Sequence, residues 1–562
     1  MIGPRASGLG PQAEHFAYAC PVSSRPVFLI GFMAAGKTAV GRELAGRLNL
    51  PFIDLDAMIE QGAGATIAEI FDRDGEDAFR RMEAAALAEV SAGSPAVVAT
   101  GGGAPCHHGG LDAMRAAGVV LALTAPLPDL LARAGTVGDR PLLQRSRAEI
   151  EALYAARLPV YRRAHAPIAT EGRTPVEVAR AAMEVLAAAA QVPAYALPGA
   201  GLVALGERSY PVITAAGALP RAGELVHSLV PRLTRVAVVS DDHVAPLYLD
   251  RVDAGLAAEG LAVVRAVVPA GEQAKSFAHY QRLCEQLVGA GLDRRSAVLA
   301  LGGGVVGDLA GFAAATLFRG VACIQLPTTL LAMVDSAIGG KTGIDVDAGK
   351  NLIGAIWQPR AVLSDPEVLA TLPVRERRAA AGELIKYALL DGDELWDLVD
   401  QVTPALARER GELPAELDRV IRRCAAIKCW TVSRDERELT GERALLNLGH
   451  TVGHAIEAAA GWSLLHGEAI GLGLVAACRV SAALGRSGPA VEERVVASLR
   501  RAGLDADLDP WLREDVLARI GVDKKRTGGQ VGFVTVAAPG TAGTVDIPVD
   551  EVSRILRPGS RL

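Results

Sequence analysis

The chain has 562 residues, with 58 Lys or Arg against 64 Asp or Glu, which gives a formal net charge of -6 at pH 7. This length is too great for one compact core and indicates about three or four domains. Half of the residues are apolar, as in ordinary soluble proteins, and the slight negative charge argues against a nucleic-acid surface. An anionic substrate would have to be bound by Lys and Arg residues gathered locally.

Seven cysteines occur without a CxxC pair, so the sequence predicts neither a disulfide framework nor a thiolate zinc site, and it favours a reducing cytoplasm. Residues 1–24 lack a continuous apolar core and are predicted to form a disordered tail. The uncharged stretch 185–206 is long enough to span a membrane, but Pro and Gly residues interrupt it. We therefore predict a linker at residues 191–209 and no membrane partner.

Residues 25–190 alternate short apolar segments with helical stretches. The segments PVFLIGF, PFIDLD, AVVATGGG and VVLALT have the composition of strands. This alternation predicts an α/β domain with a parallel sheet. At the end of PFIDLD, Asp54 and Asp56 point to one side, so one carboxylate can help to hold Mg²⁺ and the other can accept a proton from a substrate hydroxyl.

The segment GFMAAGKT, from Gly31 to Thr38, fits the phosphate-binding pattern GxxxxGK[ST] and lies between a strand-like segment and a predicted helix. Gly31 and Gly36 let backbone N–H groups close around phosphates, and Lys37 places a cation on them. The Thr38 hydroxyl can ligate Mg²⁺. The sequence therefore predicts nucleotide binding in this domain.

Three arginines and a glycine run follow: Arg80 in FRRMEAAAL, Gly101 to Gly103 in ATGGGAP, Arg140 in GDRPLL and Arg157 in LYAARLPVYRRAH. Each arginine alone would most often be a solvated surface residue. Together, in this order and spacing, these segments and the phosphate-binding loop closely resemble shikimate kinase, from about residue 26 to 190.

The resemblance implies that shikimate is phosphorylated with ATP and Mg²⁺, the metal being held by Thr38 and Asp54. The shikimate-binding residues would be Asp56, Arg80, Gly102, Gly103 and Arg157. The two arginines would grip the substrate carboxylate. Arg140 would close over ATP as a lid residue and stabilise the transferred phosphoryl group.

A second α/β block is predicted over residues 210–364, with the strand-like segments YPVITAAG, RVAVVSDD, AVVRAVVPAGEQ, SAVLALGGGVVGD and CIQLPTT. LGGGVVGDLAGF follows a strand and opens a helix, as a dinucleotide pyrophosphate site requires, although a glycine-rich turn alone is weak evidence. From residue 365 to 562 the pattern is almost wholly helical and predicts an all-helical domain.

LNLGHTVGHAIEAAAGWSLLHGE contains His450 and His454 on one predicted helix face and His466 after a break. No glutamate lies between the first two, which disfavours a metalloprotease. By spacing alone, a metal site and a structural pair are equally good interpretations. AGELIKYALL adds Glu383 and Lys386 one turn apart, and two imidazoles with one carboxylate would leave an open position, the pattern of a catalytic zinc site.

Positively charged residues are frequent in this half, and they would suit a small substrate with both a phosphate and a carboxylate. They are Arg319, Lys341, Lys350, Lys386, Lys428, Arg443, Lys524 and Lys525. Each alone would be a solvated charge by default. We place Lys524 in the substrate site and leave Lys525 as the alternative.

The motifs GEQ.KS, GGGVVGD, LPTTLLAMVDSAIGGKTG, GKN.IG, GE.IKYA and LN.GHT.GHA closely resemble 3-dehydroquinate synthase, from about residue 210 onward. The resemblance implies a Rossmann-like NAD-binding domain and a helical metal-binding domain. It implies Zn²⁺ (or Co²⁺) held by Glu383, His450 and His466, with His454 and Asn447 beside the substrate.

The same resemblance implies two further sets of residues. NAD⁺ would contact Glu272, Lys275, Gly304, Gly307, Asp308, Thr328, Thr329, Lys341 and Lys350. The substrate and catalytic residues would be Arg319, Asp335, Lys341, Asn351, Lys386, Lys428, Arg443, Asn447, His454 and Lys524. The implied reaction converts 3-deoxy-D-arabino-heptulosonate 7-phosphate to 3-dehydroquinate and phosphate, with transient oxidation by NAD⁺ and no net redox change.

We interpret the chain as a bifunctional fusion of these two enzymes that acts on small molecules and self-associates through its second half. Alternatives for that half are another sugar-phosphate cyclase or a polyol dehydrogenase, and either half could instead be a structural module. One departure is Glu442 in GERALLN, where the family has an apolar or small residue. We expect its carboxylate to weaken the hold of Arg443 on phosphate.

Overall fold

The computed structural model describes residues 24–135, 146–347, 349–409, 412–461, 463–520, 526–527 and 530–557. Apart from Ser24, the predicted N-terminal tail lies outside the described residues. So do the predicted site residues Arg140 and Lys524, and the alternative Lys525.

The first α/β region builds one sheet. Its elements are β1 (Val27–Ile30), α1 (Lys37–Leu48), β2 (Phe52–Asp54), α2 (Leu55–Ala63), α3 (Ile67–Asp74), α4 (Glu76–Ala92), β3 (Val97–Ala99), α5 (Gly110–Ala117), β4 (Val119–Thr124), α6 (Leu127–Ala134), α7 (Arg147–Tyr161), β5 (Ala166–Ala169) and α8 (Pro175–Ala189). All five strands are parallel, in the order β2-β3-β1-β4-β5. Strand β1 is buried throughout, as in a parallel sheet covered by helices, and the predicted fold is confirmed.

The second region builds a larger sheet and a ribbon. Its elements are β6 (Gly201–Val203), β7 (Tyr210–Thr214), α9 (Ala222–Leu229), β8 (Val236–Asp241), α10 (Ala245–Ala258), β9 (Val263–Val268), α11 (Phe277–Gly289), β10 (Ala297–Gly302), α12 (Gly304–Thr316), β11 (Ala322–Pro327), β12 (Lys341–Val346), β13 (Gly349–Ile356) and β14 (Ala361–Ser364). The sheet order is β6-β7-β14-β11-β10-β8-β9, parallel except for β6, while β12 and β13 form an antiparallel ribbon.

The C-terminal region is mainly helical, as predicted. Its elements are α13 (Val374–Asp391), α14 (Asp393–Leu406), α15 (Glu416–Arg434), α16 (His450–Ala459), α17 (His466–Ala483), α18 (Pro489–Arg501), α19 (Glu514–Ile520), β15 (Arg526–Thr527), β16 (Gln530–Ala538), β17 (Thr541–Pro548) and α20 (Val549–Leu556). The all-helical expectation is corrected at residues 526–527 and 530–548, which form three antiparallel strands. The β-branched and aromatic residues of QVGFVTV, which favour strands, explain the difference.

The stretch 191–209 links the two sheets and is also built into the second one. Leu202 of β6 is fully buried, and β6 pairs antiparallel with β7. Arg115 on α5 donates hydrogen bonds to Pro198 O at 2.9 Å and to Ala200 O at 2.8 Å. His165 Nε2 lies 3.0 Å from Leu197 O. The first sheet therefore holds the backbone that leads into the second.

A helix that crosses a bilayer must be long and predominantly apolar, and this applies to the helices of the described residues. None of them combines the length and the apolar character that a membrane span requires.

Candidate active sites

In the phosphate-binding loop between β1 and α1, the lysine side chain binds backbone carbonyl groups of the same loop. Gly31 and Gly36 have φ angles of 141° and 91°, which favour glycine. A Cβ on Gly31 would lie only 2.5 Å from Leu123 O in β4. Lys37 Nζ donates to the carbonyl oxygens of Gly31 at 2.9 Å and Phe32 at 3.1 Å. The loop therefore has the geometry of a phosphate cradle, with its cation at the centre.

The two residues predicted to hold Mg²⁺ lie side by side. The Thr38 hydroxyl, in the first turn of α1, donates a hydrogen bond of 2.9 Å to Asp54 Oδ2 at the end of β2. A hydroxyl and a carboxylate oxygen are the hard ligands that Mg²⁺ prefers. The donor set therefore fits the predicted metal.

The glycine segment Gly101–Gly103, after β3, is the place where the predicted substrate residues meet. A Cβ on its first glycine would lie 2.7 Å from Asp56 Oδ1, and one on its second would lie 3.3 Å from Arg157 Nη1. A Cβ on its third would lie 2.9 Å from Arg80 Nη2. The structure thus brings a carboxylate and two guanidinium groups around backbone that carries no side chain.

Glu83 on α4 is a member of this group that the sequence analysis did not single out. Its Oε2 accepts a hydrogen bond of 2.8 Å from Arg80 Nη1, while its Oε1 is buried without a hydrogen-bond partner among the described residues. Burial raises the pKa of Glu83, and burial also raises the pKa of Asp56, with Lys37 opposing the latter shift. The sequence could have indicated this ion pair, because Arg80 and Glu83 are three residues apart on one helix and so lie on the same face.

In the second half, Glu383 on α13 lies between two histidines. Its Oε1 is 3.4 Å from His450 Nε2 and 3.5 Å from His466 Nε2. His450 begins α16 and His466 begins α17, so two helix N-termini present them. The rings of His450 and His454 lie 5.2 Å apart, and the three histidines have ligand atoms within 4.8 Å of one another.

The Glu383 carboxylate is completely buried and forms an ion pair with Lys386, but neither of its oxygens makes a hydrogen bond of good geometry with a described residue. Such a carboxylate is costly without further partners. A divalent cation among Glu383, His450 and His466 would supply them. One carboxylate oxygen and two imidazole nitrogens suit zinc or cobalt, so these residues fit the predicted metal.

The protonation of the two histidines differs because their surroundings differ. Burial lowers the pKa of His450 well below its usual value, so its ring is neutral, as a ligand must be. Burial opposes the charge on His466, but its ion pairs with Glu383 and Glu457 outweigh it and raise its pKa to about 9, so a metal bound there would have to displace this proton. Glu457 Oε2 lies 3.3 Å from His466 Nδ1 and orients that ring from outside the cluster.

Asp335 gathers two of the predicted cations beside this cluster. Its Oδ1 accepts hydrogen bonds from Tyr387 Oη at 2.6 Å and Lys428 Nζ at 2.9 Å, and Lys386 Nζ lies 3.7 Å away. Tyr387 was not predicted. Burial lowers the pKa of Lys428 to about 8, with Asp335 opposing that shift.

The glycine turn between β10 and α12 has the strand–turn–helix form predicted for a pyrophosphate. A Cβ on Gly303 would lie 3.0 Å from Thr329 Cγ2, and one on Gly304 would lie 3.1 Å from Ser336 Oγ. The Thr328 hydroxyl is buried without a hydrogen-bond partner among the described residues. Bare backbone at a helix N-terminus and an unpartnered hydroxyl fit a dinucleotide such as NAD⁺.

Lys275 joins three residues that were assigned to NAD⁺ or substrate. Its Nζ lies 2.9 Å from Asp308 Oδ2, 2.5 Å from Asn351 Oδ1 and 3.4 Å from Glu272 Oε1. Burial raises the pKa of Asp308 to about 6, with Lys275 opposing the shift. The Gly307 position, one turn into α12, is also crowded, since a Cβ there would lie 2.9 Å from Gln325 Oε1.

Lys350 connects these residues to the histidine cluster. Its Nζ lies 3.5 Å from Glu272 Oε1 and 2.9 Å from Glu457 Oε1. Since Glu457 also contacts His466, one carboxylate links the predicted nucleotide and metal residues.

Glu438 joins two other predicted substrate cations. Its Oε1 lies 2.5 Å from Lys341 Nζ and 3.6 Å from Arg443 Nε. Arg443 is 2% exposed, and its Nη1 donates a hydrogen bond of 2.5 Å to Glu436 O. The two cations therefore face one anion from different elements.

Glu442 does not point its carboxylate at Arg443. Its two oxygens accept hydrogen bonds from Arg434, from Nε at 2.7 Å and from Nη2 at 2.7 Å. The expected weakening of Arg443 is therefore not supported.

Arg319 and Asn447 are less closely joined to these groups, whereas His454 belongs to the histidine cluster. Arg319 is exposed in a turn after α12, and none of the described contacts connects it to the cluster. His454 is exposed, and Asn447 is half-buried at the end of the turn that begins at Arg443.

Comparison with known proteins identifies the family of each half of the chain. Residues 33–187 match the shikimate kinase family, residues 265–379 match the N-terminal part of 3-dehydroquinate synthase, and residues 380–526 match its C-terminal part. A 3-dehydroquinate synthase of Rhodospirillum rubrum is 49% identical over 340 residues, which are 59% of this chain and 87% of that protein. The chain belongs to the 3-dehydroquinate synthase family. It carries a shikimate kinase domain in front, so the predicted fusion of two enzyme families is confirmed.

Solved structures resemble the synthase part. A 2-deoxy-scyllo-inosose synthase complexed with carbaglucose-6-phosphate, NAD⁺ and Co²⁺ is 25% identical, with a TM-score of 0.57, and the match covers 64% of this chain and 99% of that one. The 2-epi-5-epi-valiolone synthase of Streptomyces hygroscopicus subsp. jinggangensis 5008, with NAD⁺ and Zn²⁺ bound, is 28% identical, with a TM-score of 0.56. That match covers 61% of this chain and 95% of the other. These relatives of the synthase part bind NAD⁺ and Co²⁺ or Zn²⁺.

Proposed function

We propose that residues 25–190, the kinase part, phosphorylate shikimate with ATP and Mg²⁺. The supporting observation is the convergence of Asp56, Arg80 and Arg157 on the glycine segment Gly101–Gly103, next to the phosphate-binding loop. Two guanidinium groups can hold one carboxylate with good geometry. A buried Asp56 with a raised pKa is suited to accept the proton of the hydroxyl that attacks the phosphate. Lys37 would leave its carbonyl partners to bind the phosphates.

We further propose that residues 210–562, the synthase part, convert 3-deoxy-D-arabino-heptulosonate 7-phosphate to 3-dehydroquinate and phosphate. The observation that carries this proposal is the buried Glu383 carboxylate between His450 and His466, beside the cations around Asp335. When bound, zinc would polarise a substrate hydroxyl and NAD⁺ would accept and return a hydride, so that no NADH accumulates.

The protein residues of the synthase part would orient the substrate and hold its charges. Lys386 and Lys428, both fixed by Asp335, lie where they can bind an anion beside the metal residues. Arg443 and Lys341 would exchange Glu438 for the phosphate or carboxylate of the substrate. His454, exposed beside His450, can hold or move a proton at the reacting carbon.

The experiment combines two assays on one purified protein supplied with zinc. Phosphate release from 3-deoxy-D-arabino-heptulosonate 7-phosphate and NAD⁺ is measured together with absorbance at the NADH band. Stoichiometric phosphate without NADH is expected, and His450→Ala should abolish it, while His227→Ala, an exposed histidine of α9, should not. Shikimate-dependent ADP formation should disappear in Lys37→Met, in which phosphate release persists. Zinc-loaded wild type that releases no phosphate would contradict the synthase proposal.

A second candidate for the synthase part is another sugar-phosphate cyclase. The two structural relatives, which are 25% and 28% identical, are named as a 2-deoxy-scyllo-inosose synthase and a 2-epi-5-epi-valiolone synthase. The higher identity to the Rhodospirillum rubrum protein favours 3-dehydroquinate synthase. Presenting other sugar phosphates in the same assay separates the two. NADH accumulation from a polyol without phosphate release would indicate a dehydrogenase instead.

We also propose domain limits at 25–190, 210–364 and 365–562, and self-association through the synthase part. The limits are supported by sheet membership, since β5 and β7 belong to different sheets and β14 ends at Ser364. Self-association is supported by apolar residues of the ribbon strand β13 that are 36–42% exposed, namely Leu352, Ile353 and Ile356. Light scattering of wild type and of Ile353→Lys tests it: a mass near 58.3 kDa for wild type would contradict it.

A further inference from the structure

The segment 434–443, which we call the neck loop, is closed at its base by two contacts. The guanidinium of Arg434, at the end of α15, makes a bidentate pair with Glu442, at 2.7 Å for both hydrogen bonds. The next residue, Asp435, accepts a hydrogen bond of 3.1 Å from the backbone N–H of Arg443. Both ends of the loop are therefore fixed to each other immediately before the substrate arginine.

The loop between these ends carries the groups that hold Arg443 and Lys341. Glu436 O accepts a hydrogen bond from Arg443, and Glu438 lies against both cations. Asp435 Oδ1 also accepts the N–H of Leu439 at 2.7 Å, which keeps the loop compact. Any opening of the base would move several supports of Arg443 together.

The kinase part also contacts Arg434, at the start of the neck loop. Arg434 Nη1 donates a hydrogen bond of 2.9 Å to Thr124 Oγ1, and Arg434 Nη2 lies 3.8 Å from Glu171 Oε1. Thr124 ends β4 and follows Leu123, the residue whose carbonyl packs against Gly31 of the phosphate-binding loop. One guanidinium thus spans the junction between the two enzymes.

We propose that Arg434 and Glu442 are positioning residues of the synthase substrate site and that Thr124 of the kinase part completes their support. A bidentate guanidinium–carboxylate pair fixes both distance and orientation. Arg434 is 17% exposed and Glu442 is 41% exposed, so solvent partly screens the pair and its positioning effect comes from the bidentate geometry. The kinase part then acts as a structural support for the neighbouring enzyme, beyond its own reaction. This inference rests on the proposed synthase activity.

The test uses the full-length, zinc-loaded protein with the variants Glu442→Gln, Arg434→Gln, the double variant and Thr124→Val. Glu442→Gln replaces an acceptor by an NH₂ group that faces the donors of Arg434. The control is Glu492→Gln, which removes a partner at 2.9 Å from Arg479. The Arg479 side chain is also 17% exposed, but this pair joins α17 to α18. The readouts are KM and kcat for phosphate release, KM for shikimate, and hydrogen exchange of residues 435–443.

Glu442→Gln and Arg434→Gln should each raise the synthase KM by about three- to tenfold with little change in kcat, and the double variant should be no worse than either. Thr124→Val should give a smaller rise in the same direction. Exchange in residues 435–443 should accelerate in these variants and not in Glu492→Gln.

Unchanged KM and unchanged exchange in both pair variants would overturn the inference, as would an equal loss of both activities, which indicates general destabilisation. If wild type releases no phosphate, the proposed reaction fails by itself, and the exchange measurement still decides whether the pair closes the loop.

Discussion

Asp335 Oδ1 lies 2.9 Å from Lys428 Nζ, and this ion pair only partly offsets the burial of the lysine. The pKa of Lys428 is lowered to about 8, so the side chain is charged below that pH and neutral above it. A substrate anion needs the charged form. On the proposed role of Lys428 as an anion-binding group, the pH at which substrate binding weakens would be set by this buried pair.

We expect kcat/KM for phosphate release to fall as the pH rises through about 8, because the free enzyme loses the Lys428 charge. Lys428→Arg should move this limb to higher pH, since a guanidinium stays protonated. The measurement is a pH profile of kcat/KM for both proteins. An alkaline limb at the same pH in Lys428→Arg would assign it to another group.

Asp335→Asn should destabilise the fold. It leaves Lys386 and Lys428 buried without their shared carboxylate, and breaking a buried pair costs about 3 kcal/mol or more. Thermal unfolding measures the effect. Asp418→Asn, which removes a partly exposed partner of Arg422 at 2.8 Å, is the control and should cost about 1 kcal/mol or less. Equal losses in both variants would contradict the assignment of Asp335 as the anchor.

Gly101→Ala should impair the kinase part. Its Cβ would lie 2.7 Å from both Asp56 Oδ1 and Glu83 Oε1, so these carboxylates would have to move away from the substrate. We expect shikimate KM to rise by about tenfold or more, because small displacements of positioned groups are costly. Gly46→Ala in α1, where a Cβ meets nothing within 4 Å, should leave the kinetics unchanged. A wild-type KM for Gly101→Ala would contradict the assigned geometry.

Zinc should stabilise the synthase part because it provides partners for Glu383. At a hundred times its Kd, a ligand that binds only the folded state adds about 2.7 kcal/mol. Thermal unfolding with chelator and with zinc measures this, and Glu383→Ala should remove the difference. The control is Asp242→Asn, at an exposed residue of the group Asp241–His243, whose ligand atoms also lie close together; this variant should keep the difference.

The sequence was most informative where function depends on neighbouring residues. The phosphate-binding loop from Gly31 to Thr38 has its lysine, hydroxyl and glycines within one turn, so the motif specifies the geometry. Strands β1 to β4 were predicted because each contains a short run of apolar residues. The ribbon β12–β13 was not predicted, because Gly343, Gly349 and Gly354 interrupt the apolar pattern of its strands.

Contacts between distant segments were the part that the sequence did not reveal. Spacing favoured pairing His450 with His454, and only the family resemblance replaced the second by His466. Tyr387, Glu438 and Glu457 received no role, since their partners Asp335, Lys341 and Lys350 lie on other elements. The type of a single polar residue does not indicate which distant side chain it will contact in the folded protein.

Strand β6 makes the boundary between the two enzymes hard to divide. Its three residues complete the edge of the synthase sheet, while the carbonyl groups just before them are held by Arg115 and His165 of the kinase part. A break after β6 would uncover the edge of β7, and a break before it would remove hydrogen-bond acceptors from Arg115, which is half-buried. The two enzymes are therefore not simply connected by a flexible linker. Separating them into two proteins would require new surface residues on both.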